Sequence, residues 1–271
     1  MRSVRGIEDW AVGAAATAVV SAEGRVIGRH GDPDRVFPLA SVTKLLTAFA
    51  TLVAVEEGVL ELDDAAGPGG STVRHLLAHA SGLDVDAPTV RSAPGTRRLY
   101  SNQGFEVLAR TVADRSGIPF AAYAQEALLD PLGMSSTTLA GSPASGATST
   151  VADLARFVAE LQAPVLLDPA TLAQAATVAF PGLAGVLPGF GRQSPNDWGL
   201  GFELRALKHP HWTGRTSSPR TFGHFGQSGT FAWVDPDAQV ACVVLTDRDF
   251  GPWAAQAWPA YTDAVLAELR E

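Results

Sequence analysis

Side chains able to carry covalent chemistry are few in this chain and unevenly placed. Of 20 Lys and Arg residues only two are Lys, Lys44 and Lys208. Lys44 closes Ser41-Val42-Thr43-Lys44, at the head of a stretch from Ser41 to Glu57 that has no Gly or Pro and stops at Gly58. Helix positions i and i+3 share a face, so this spacing brings the Ser41 hydroxyl to the Lys44 amine. Ser41 falls at the helix start, where free backbone N–H groups and the positive dipole end favour a developing oxyanion. Desolvation by Leu45 and Leu46 would favour a neutral Lys44 able to act as a base. The alternative for the same pair is a helix N-cap and a lysine reaching out to solvent.

Two further segments carry polar groups on loops or strand ends. Tyr100-Ser101-Asn102 stands between a loop with Pro94, Gly95, Arg97 and Arg98 and a helix expected over Gln103–Ser116, closed by Gly117. There Tyr100 could relay a proton and Asn102 could hold a substrate amide; an aromatic anchor with a helix cap is the other reading. His224-Phe225-Gly226-Gln227-Ser228-Gly229 reads as a strand end. Glycine on an edge strand lets a ligand approach backbone N–H groups.

The elements that must position these groups follow from periodicity. Ala14–Ser21 and Arg25–Arg29 read as a hairpin around Ala22-Glu23-Gly24. Between Leu45 and Val55 no face is charged, the pattern of a central, buried helix. Helices are expected over Thr72–His79 with Ser71 as cap, Pro119–Leu129, Val151–Leu161 and Pro169–Thr177. Strands return at Gly199–Leu204, Thr230–Val234 and Gln239–Thr246, and Trp253–Arg270 reads as an amphipathic helix. Strands at both ends with helices between predict an α+β fold. Residues 1–62 and 196–271 would build an antiparallel sheet flanked by the terminal helices, and 63–195 would form an inserted all-helical region.

The three motifs in this order resemble the family of serine β-lactamases and penicillin-binding proteins, most of all its class C β-lactamase, DD-peptidase and family VIII esterase branch. Phe37-Pro38-Leu39-Ala40, Leu76-Leu77-Ala78-His79-Ala80-Ser81-Gly82-Leu83, Asp130-Pro131-Leu132-Gly133-Met134 and Trp198-Gly199-Leu200-Gly201-Phe202 match as well. The resemblance covers about residues 12–250 and implies a β-lactamase-like fold. It implies Ser41 as nucleophile, Lys44 as its activating partner, Tyr100 as general base and acid, and Asn102 in contact with substrate. His224 would take the basic position on the sheet edge, with a charge that depends on pH. Gly226, Gln227 and Ser228 would complete the substrate side, the backbone N–H groups of Ser41 and Gln227 forming an oxyanion hole. The implied reaction is attack of Ser41 on an ester, thioester, amide or lactam carbonyl, then release of the acyl group.

Phe225 and Gln227 stand where the family commonly has small or hydroxyl residues, which weakens carboxylate recognition and favours an esterase-like hydrolase. A β-lactamase or DD-peptidase, and a non-catalytic sensor of the same fold, are the other readings. No cofactor is required and no metal is expected. His75 and His79 lie four apart, but the Glu of a His-Glu-x-x-His helix is missing. There is also no Gly-x-Ser-x-Gly elbow.

A formal charge of −8 without a Lys/Arg block argues against nucleic acid and anionic membranes. The expected partner is a small acyl compound. No run of about 18 apolar residues reads as a membrane span. The N-terminal sequence does not look like a signal peptide, so a cytoplasmic location is expected. The single Cys242, in an apolar run, reads as core packing.

Overall fold

A computed structural model describes residues 1–270. Its centre is a six-stranded antiparallel sheet made from both ends of the chain. β1 (Ala15–Ser21) and β2 (Val26–His30) come from the first hairpin, and β3 (Phe37–Pro38) follows as part of a separate two-stranded ladder. α1 (Thr43–Glu56), α2 (Val73–Leu77), α3 (Asn102–Ser116) and α4 (Phe120–Ala124) come next, before β4 (Thr148–Ser149), which pairs with β3. Then come α5 (Val151–Glu160), α6 (Pro169–Ala175) and the short hairpin β5 (Gly185–Leu187) and β6 (Gly191–Gln193). β7 (Glu203–Leu204), β8 (Phe222–Gly226), β9 (Thr230–Asp235), β10 (Val240–Thr246) and α7 (Pro252–Glu268) complete the chain. The sheet order is β2-β1-β10-β9-β8-β7.

The strand pattern explains why the sheet is buried on both sides. Along β10 successive side chains point to opposite faces, and every one of them is apolar up to Thr246. Val240, Cys242 and Val244 pack with Trp258, Val265 and Leu266 of α7, while Ala241, Val243 and Leu245 join the core shared with α1 and α5. β1 puts Ala16 and Ala18 on that second face, small residues that let a helix lie close. α5 occupies the space, in contact with both β1 and β10. Thr43 to Ala54 of α1 are all buried, as a helix without a charged face requires.

Several elements differ from the sequence reading. α1 begins at Thr43, and Ser41 lies in a preceding 3-10 turn, Ala40–Val42. Val42 is at the cap position and no side chain caps the helix, so Ser41 is not an N-cap. α2 is capped by Thr72, not Ser71, through a bond accepted from the His75 N–H. Of the strand expected over Gly199–Leu204 only Glu203 and Leu204 pair, because Gly199 and Leu200 bond instead to Phe202 and Ala175. The stretch 63–195 also carries β4, β5 and β6, and its α5 is packed on the sheet. Among the described residues, no helix is long and apolar enough to cross a membrane.

Candidate active site

The turn that carries Ser41 is held against the end of β8 and the start of β9. Ala40 has φ +45°, a left-handed conformation that non-glycine residues rarely hold without support. The support comes from the sheet. Thr230 Oγ1 donates to the Leu39 carbonyl at 2.9 Å, and Ser228 Oγ donates to the Pro38 carbonyl at 2.7 Å. Gly226 packs so closely that a Cβ there would collide with the Leu39 carbonyl and the Thr230 hydroxyl. Glycine at 226 is therefore needed to bring the sheet edge up to the serine. β7 pairs only with Phe222 and Gly223, which leaves His224 to Gly226 on an open edge.

Ser41 Oγ sits between two proton carriers. The Tyr100 hydroxyl donates to it at 2.7 Å, and Lys44 Nζ is 3.3 Å away on the other side. Lys44 is fully buried and also donates to Asn102 Oδ1 at 2.6 Å and to the Ala144 carbonyl at 2.8 Å. Among the described residues, no carboxylate touches it. Burial lowers its pKa to about 7, against the opposing fields of Asp86 and Glu106. A neutral amine has two N–H bonds and one lone pair. With both N–H bonds spent on Asn102 and Ala144, the lone pair is left for Ser41. Burial moves Tyr100 in the other direction, raising its pKa far above the usual phenol range. Tyr100 thus keeps its proton at rest, and Lys44 is the group able to receive one near neutral pH.

The other expected residues are placed as follows. Asn102 is the first residue of α3, with Ser101 as the helix cap, so its side chain is free for Lys44 and for Asp86, whose Oδ1 accepts from Asn102 Nδ2 at 2.7 Å. His224 is buried, its Nδ1 donating to the Phe225 carbonyl at 2.6 Å and its Nε2 without a partner. Burial, with a further push from Lys44, lowers its pKa to about 3. The expectation of a pH-dependent charge there is corrected: the imidazole is neutral through the physiological range. Gln227 is exposed, its Nε2 donating to the Phe250 carbonyl. Ser228 is bonded to Pro38 and holds the serine turn in place; it does not line the cavity.

That cavity has a volume of about 180 Å³ and is lined by Ser41, Tyr100, His224 and Gln227 together with Leu187, Pro188, Trp198, Glu203 and Phe225. Leu187 and Pro188 come from the β5–β6 hairpin, and nothing in the sequence pattern marked them, or Glu203, Asp86 and Ala144. A larger groove of about 480 Å³ lies between residues 205–215 and α7. It contains none of the groups around Ser41, so size alone does not locate the chemistry. His79 is buried and its Nδ1 accepts from the Ser101 N–H, while His75 Nδ1 is bonded with the Thr72 hydroxyl. Among the described residues, no group of three or more His, Cys, Asp or Glu is arranged to hold a metal.

Sheet, helices and serine centre together define an α+β protein of the β-lactamase type. A family model described as Beta-lactamase matches residues 5–267, and the chain belongs to that family, whose members are serine hydrolases. A crystal structure described as a β-lactamase from Mycobacterium bovis is 58% identical, with a TM-score of 0.97, and covers 98% of this chain and 99% of its own. EstCE1, described as a hydrolase with promiscuous acyltransferase activity, shares the fold at 18% identity and a TM-score of 0.79, covering 97% of this chain and 96% of its own. The D-alanyl-D-alanine-carboxypeptidase/endopeptidase AmpH of Escherichia coli K12 is 29% identical over 147 residues. That match takes in 41% of this chain and 38% of AmpH, so it spans well under half of either protein.

Proposed function

We propose that this protein is an esterase-like serine hydrolase that forms an acyl-enzyme at Ser41 on small, uncharged acyl compounds. The observation that carries the serine chemistry is the hydroxyl of Ser41 held between Tyr100 and a carboxylate-free Lys44. In the first step Ser41 Oγ attacks the carbonyl carbon and its proton passes to the neutral Lys44. Tyr100 then gives its proton to the leaving alkoxide as the C–O bond breaks and is reprotonated from the Lys44 ammonium. The alcohol leaves with the proton that Ser41 lost, and Lys44 is neutral again. Water enters by the same relay in reverse and releases the acid. The backbone N–H groups of Ser41 and Gln227, on the two segments joined by the Thr230 and Ser228 bonds, are the donors for the tetrahedral oxyanion.

The preference for uncharged substrates rests on His224. A cation there would attract a carboxylate, whereas a neutral imidazole closed to solvent offers no charge to pair with one. Phe225 and Trp198 line the same cavity with apolar rings, and its charged lining residue, Glu203, is an anion that would repel a carboxylate. A cavity of about 180 Å³ beside Ser41 suits a small acyl group. β-Lactam turnover is a second reading, supported by the description of the 58% identical M. bovis protein.

Intact-mass spectrometry of wild type and Ser41→Ala tests both readings, using p-nitrophenyl butyrate, a penicillin and a fluorophosphonate, with product release followed alongside. The expected result is a Ser41-dependent adduct with ester turnover and slow reaction with the penicillin. Penicillin turnover faster than ester turnover would favour the second reading. No adduct with any of the three would remove the catalytic assignment and leave a non-reacting binding module.

A further inference from the structure

Asn102 accepts from Lys44 on one side and donates to Asp86 on the other. Such an amide can be placed either way round by its shape alone, and its neighbours decide which end is oxygen. Lys44 does not decide it. A neutral amine can donate to Oδ1 or accept from Nδ2, and only the first leaves its lone pair for Ser41. If Nδ2 faced Lys44, the lone pair would be taken and an N–H would point at the nucleophile. A carboxylate oxygen can only accept, so a carboxylate on the far side turns Nδ2 outward and Oδ1 towards Lys44.

The loop before α3 is built to hold that carboxylate. The Asn102 and Gln103 N–H groups donate to the Val85 carbonyl at 2.7 and 3.0 Å, and Ser101 Oγ donates to the Asp84 carbonyl at 2.6 Å. Asp84 is in turn paired with Arg91. These bonds tie Ser101, Asn102 and Gln103 to the segment carrying Asp86.

We infer that Asp86, an exposed residue outside the cavity, is a positioning residue for acylation: it fixes the orientation of the Asn102 amide and thereby aims the Lys44 lone pair at Ser41. The inference rests on the proposed Ser41 chemistry. Asp86 has a second effect on the same amine through its charge. The charged and titratable groups facing Lys44 are Glu106 from α3, Tyr100 ahead of it, His79 in the turn after α2, His224 from β8 and Asp86 from the loop. Tyr100 holds its proton and both imidazoles are kept neutral by burial, so Asp86 and Glu106 supply the charge that favours the ammonium. Removing Asp86 therefore acts twice, on the amide and on the proton affinity of Lys44. Glu106 accepts from Ser142 Oγ, which holds the Ala144 N–H, and glutamine keeps an oxygen for that bond, so Glu106→Gln acts on the proton affinity of Lys44.

The test is the rate of Ser41 phosphonylation by a fluorophosphonate, read by intact mass across pH 5–9, in which the Ser41 oxygen–phosphorus bond forms and fluoride leaves. Asp86→Ala should lower the plateau rate about tenfold or more, part of the roughly 10²–10⁴-fold that general acid–base catalysis contributes, and move the acid limb to lower pH. Glu106→Gln should move the limb and keep the plateau. Asp86→Glu, which retains an acceptor-only group, should recover most of the plateau at unchanged thermal stability. A plateau for Asp86→Ala within twofold of wild type would overturn the inference, as would equal losses in Asp86→Ala and Asp86→Glu. If wild type itself is not phosphonylated at Ser41, the failure lies with the catalytic reading.

Discussion

Both lysines of this chain are buried, and they stand in opposite electrostatic settings. Lys44 touches a hydroxyl, an amide oxygen and a backbone carbonyl, all neutral. Lys208 is in direct contact with the Glu203 carboxylate and donates to the carbonyls of Asp197 and Leu204 at 2.6 Å. Glu203 is further bonded by His211 at 2.9 Å and by the Trp212 indole N–H at 2.8 Å. Burial alone would raise the Glu203 pKa; His211 and Lys208 outweigh it and hold it at about 2. Burial lowers the pKa of His211 and of Lys208 as well, but at Lys208 the charge and hydrogen bond of a touching Glu203 oppose it, an opposition in contact that Lys44 lacks. Burial by itself therefore does not make a lysine reactive. The amine able to lose its proton near neutrality is the one whose carboxylates, Asp86 and Glu106, stay out of contact, and the amine in contact with one serves to neutralise it.

Replacing each lysine by methionine should separate the two roles. Lys44→Met removes the proton acceptor and should slow Ser41 acylation by about 10³-fold, inside the range of general acid–base contributions. It leaves no carboxylate unpaired; the Asn102 oxygen and the buried Ala144 carbonyl lose their donor, at a cost of about 1–3 kcal/mol, which the removal of a buried amine offsets, so thermal stability should change little. Lys208→Met strands a buried carboxylate and should cost about 3–5 kcal/mol of stability, the usual penalty for breaking a buried pair. His211 and Trp212 remain on Glu203, which favours the lower end. Lys208 touches neither Ser41, Lys44, Tyr100 nor Asn102, but its partner Glu203 lines the cavity, so activity per folded molecule should fall far less than in Lys44→Met. Phosphonylation rates and urea midpoints on both variants are the measurements. A large activity loss in Lys208→Met with unchanged stability would break the comparison.

Combining Lys208→Met with Glu203→Gln sharpens it. Without the charge on either side, no buried ion is left alone, and the double variant should recover a good part of the stability lost by Lys208→Met. Non-additivity of more than about 1 kcal/mol in the double-mutant cycle is expected for groups in contact. Additive losses would mean that Lys208 stabilises through packing on Trp198, whose ring lies 5.9 Å from its amine, and not through Glu203.

The same contrast explains what could be read from the sequence. Ser41 and Lys44 are three residues apart, and a local helical spacing is enough to join them. β10 and α1 were legible because their apolar runs are long. Asp86, Ala144 and Glu203 were not, because their contacts with Asn102, Lys44 and the cavity depend on tertiary packing; Ala144 is 100 residues from Lys44. Strands of two or three residues such as β3, β4 and β7 are too short to show a period. The neutrality of His224 also escaped, since its type suggests a titrating group and only burial removes the charge. The start of α1 moved for a similar reason: one 3-10 turn, imposed by the bonds from Thr230 and Ser228, sets Ser41 apart from a helix that the sequence joins to it.

The smallest effect, and the most direct on the electrostatics, is the dependence of stability on pH. Glu203 is held at about 2 in the folded protein against an ordinary 4.5. A lowered carboxyl pKa contributes stability above the unfolded value, and that contribution is lost as pH falls from about 4.5 through 2. Lys44 is also lowered, from 10.5 to about 7, but for an amine the consequence is reversed. Between these values the unfolded chain binds more protons than the folded one, so stability contributed by this residue rises with pH from about 7 to 10.5. Below 7 the full cost of burying the ammonium is present. Differences between variant and wild type isolate each term from the other titrating groups. Lys44→Met should flatten the alkaline rise in urea midpoint and leave the acid loss alone, while the Glu203→Gln/Lys208→Met pair should shrink the acid loss. An unchanged alkaline slope in Lys44→Met would mean that Lys44 stays charged through neutral pH, and the assignment of its lone pair to Ser41 would fall with it.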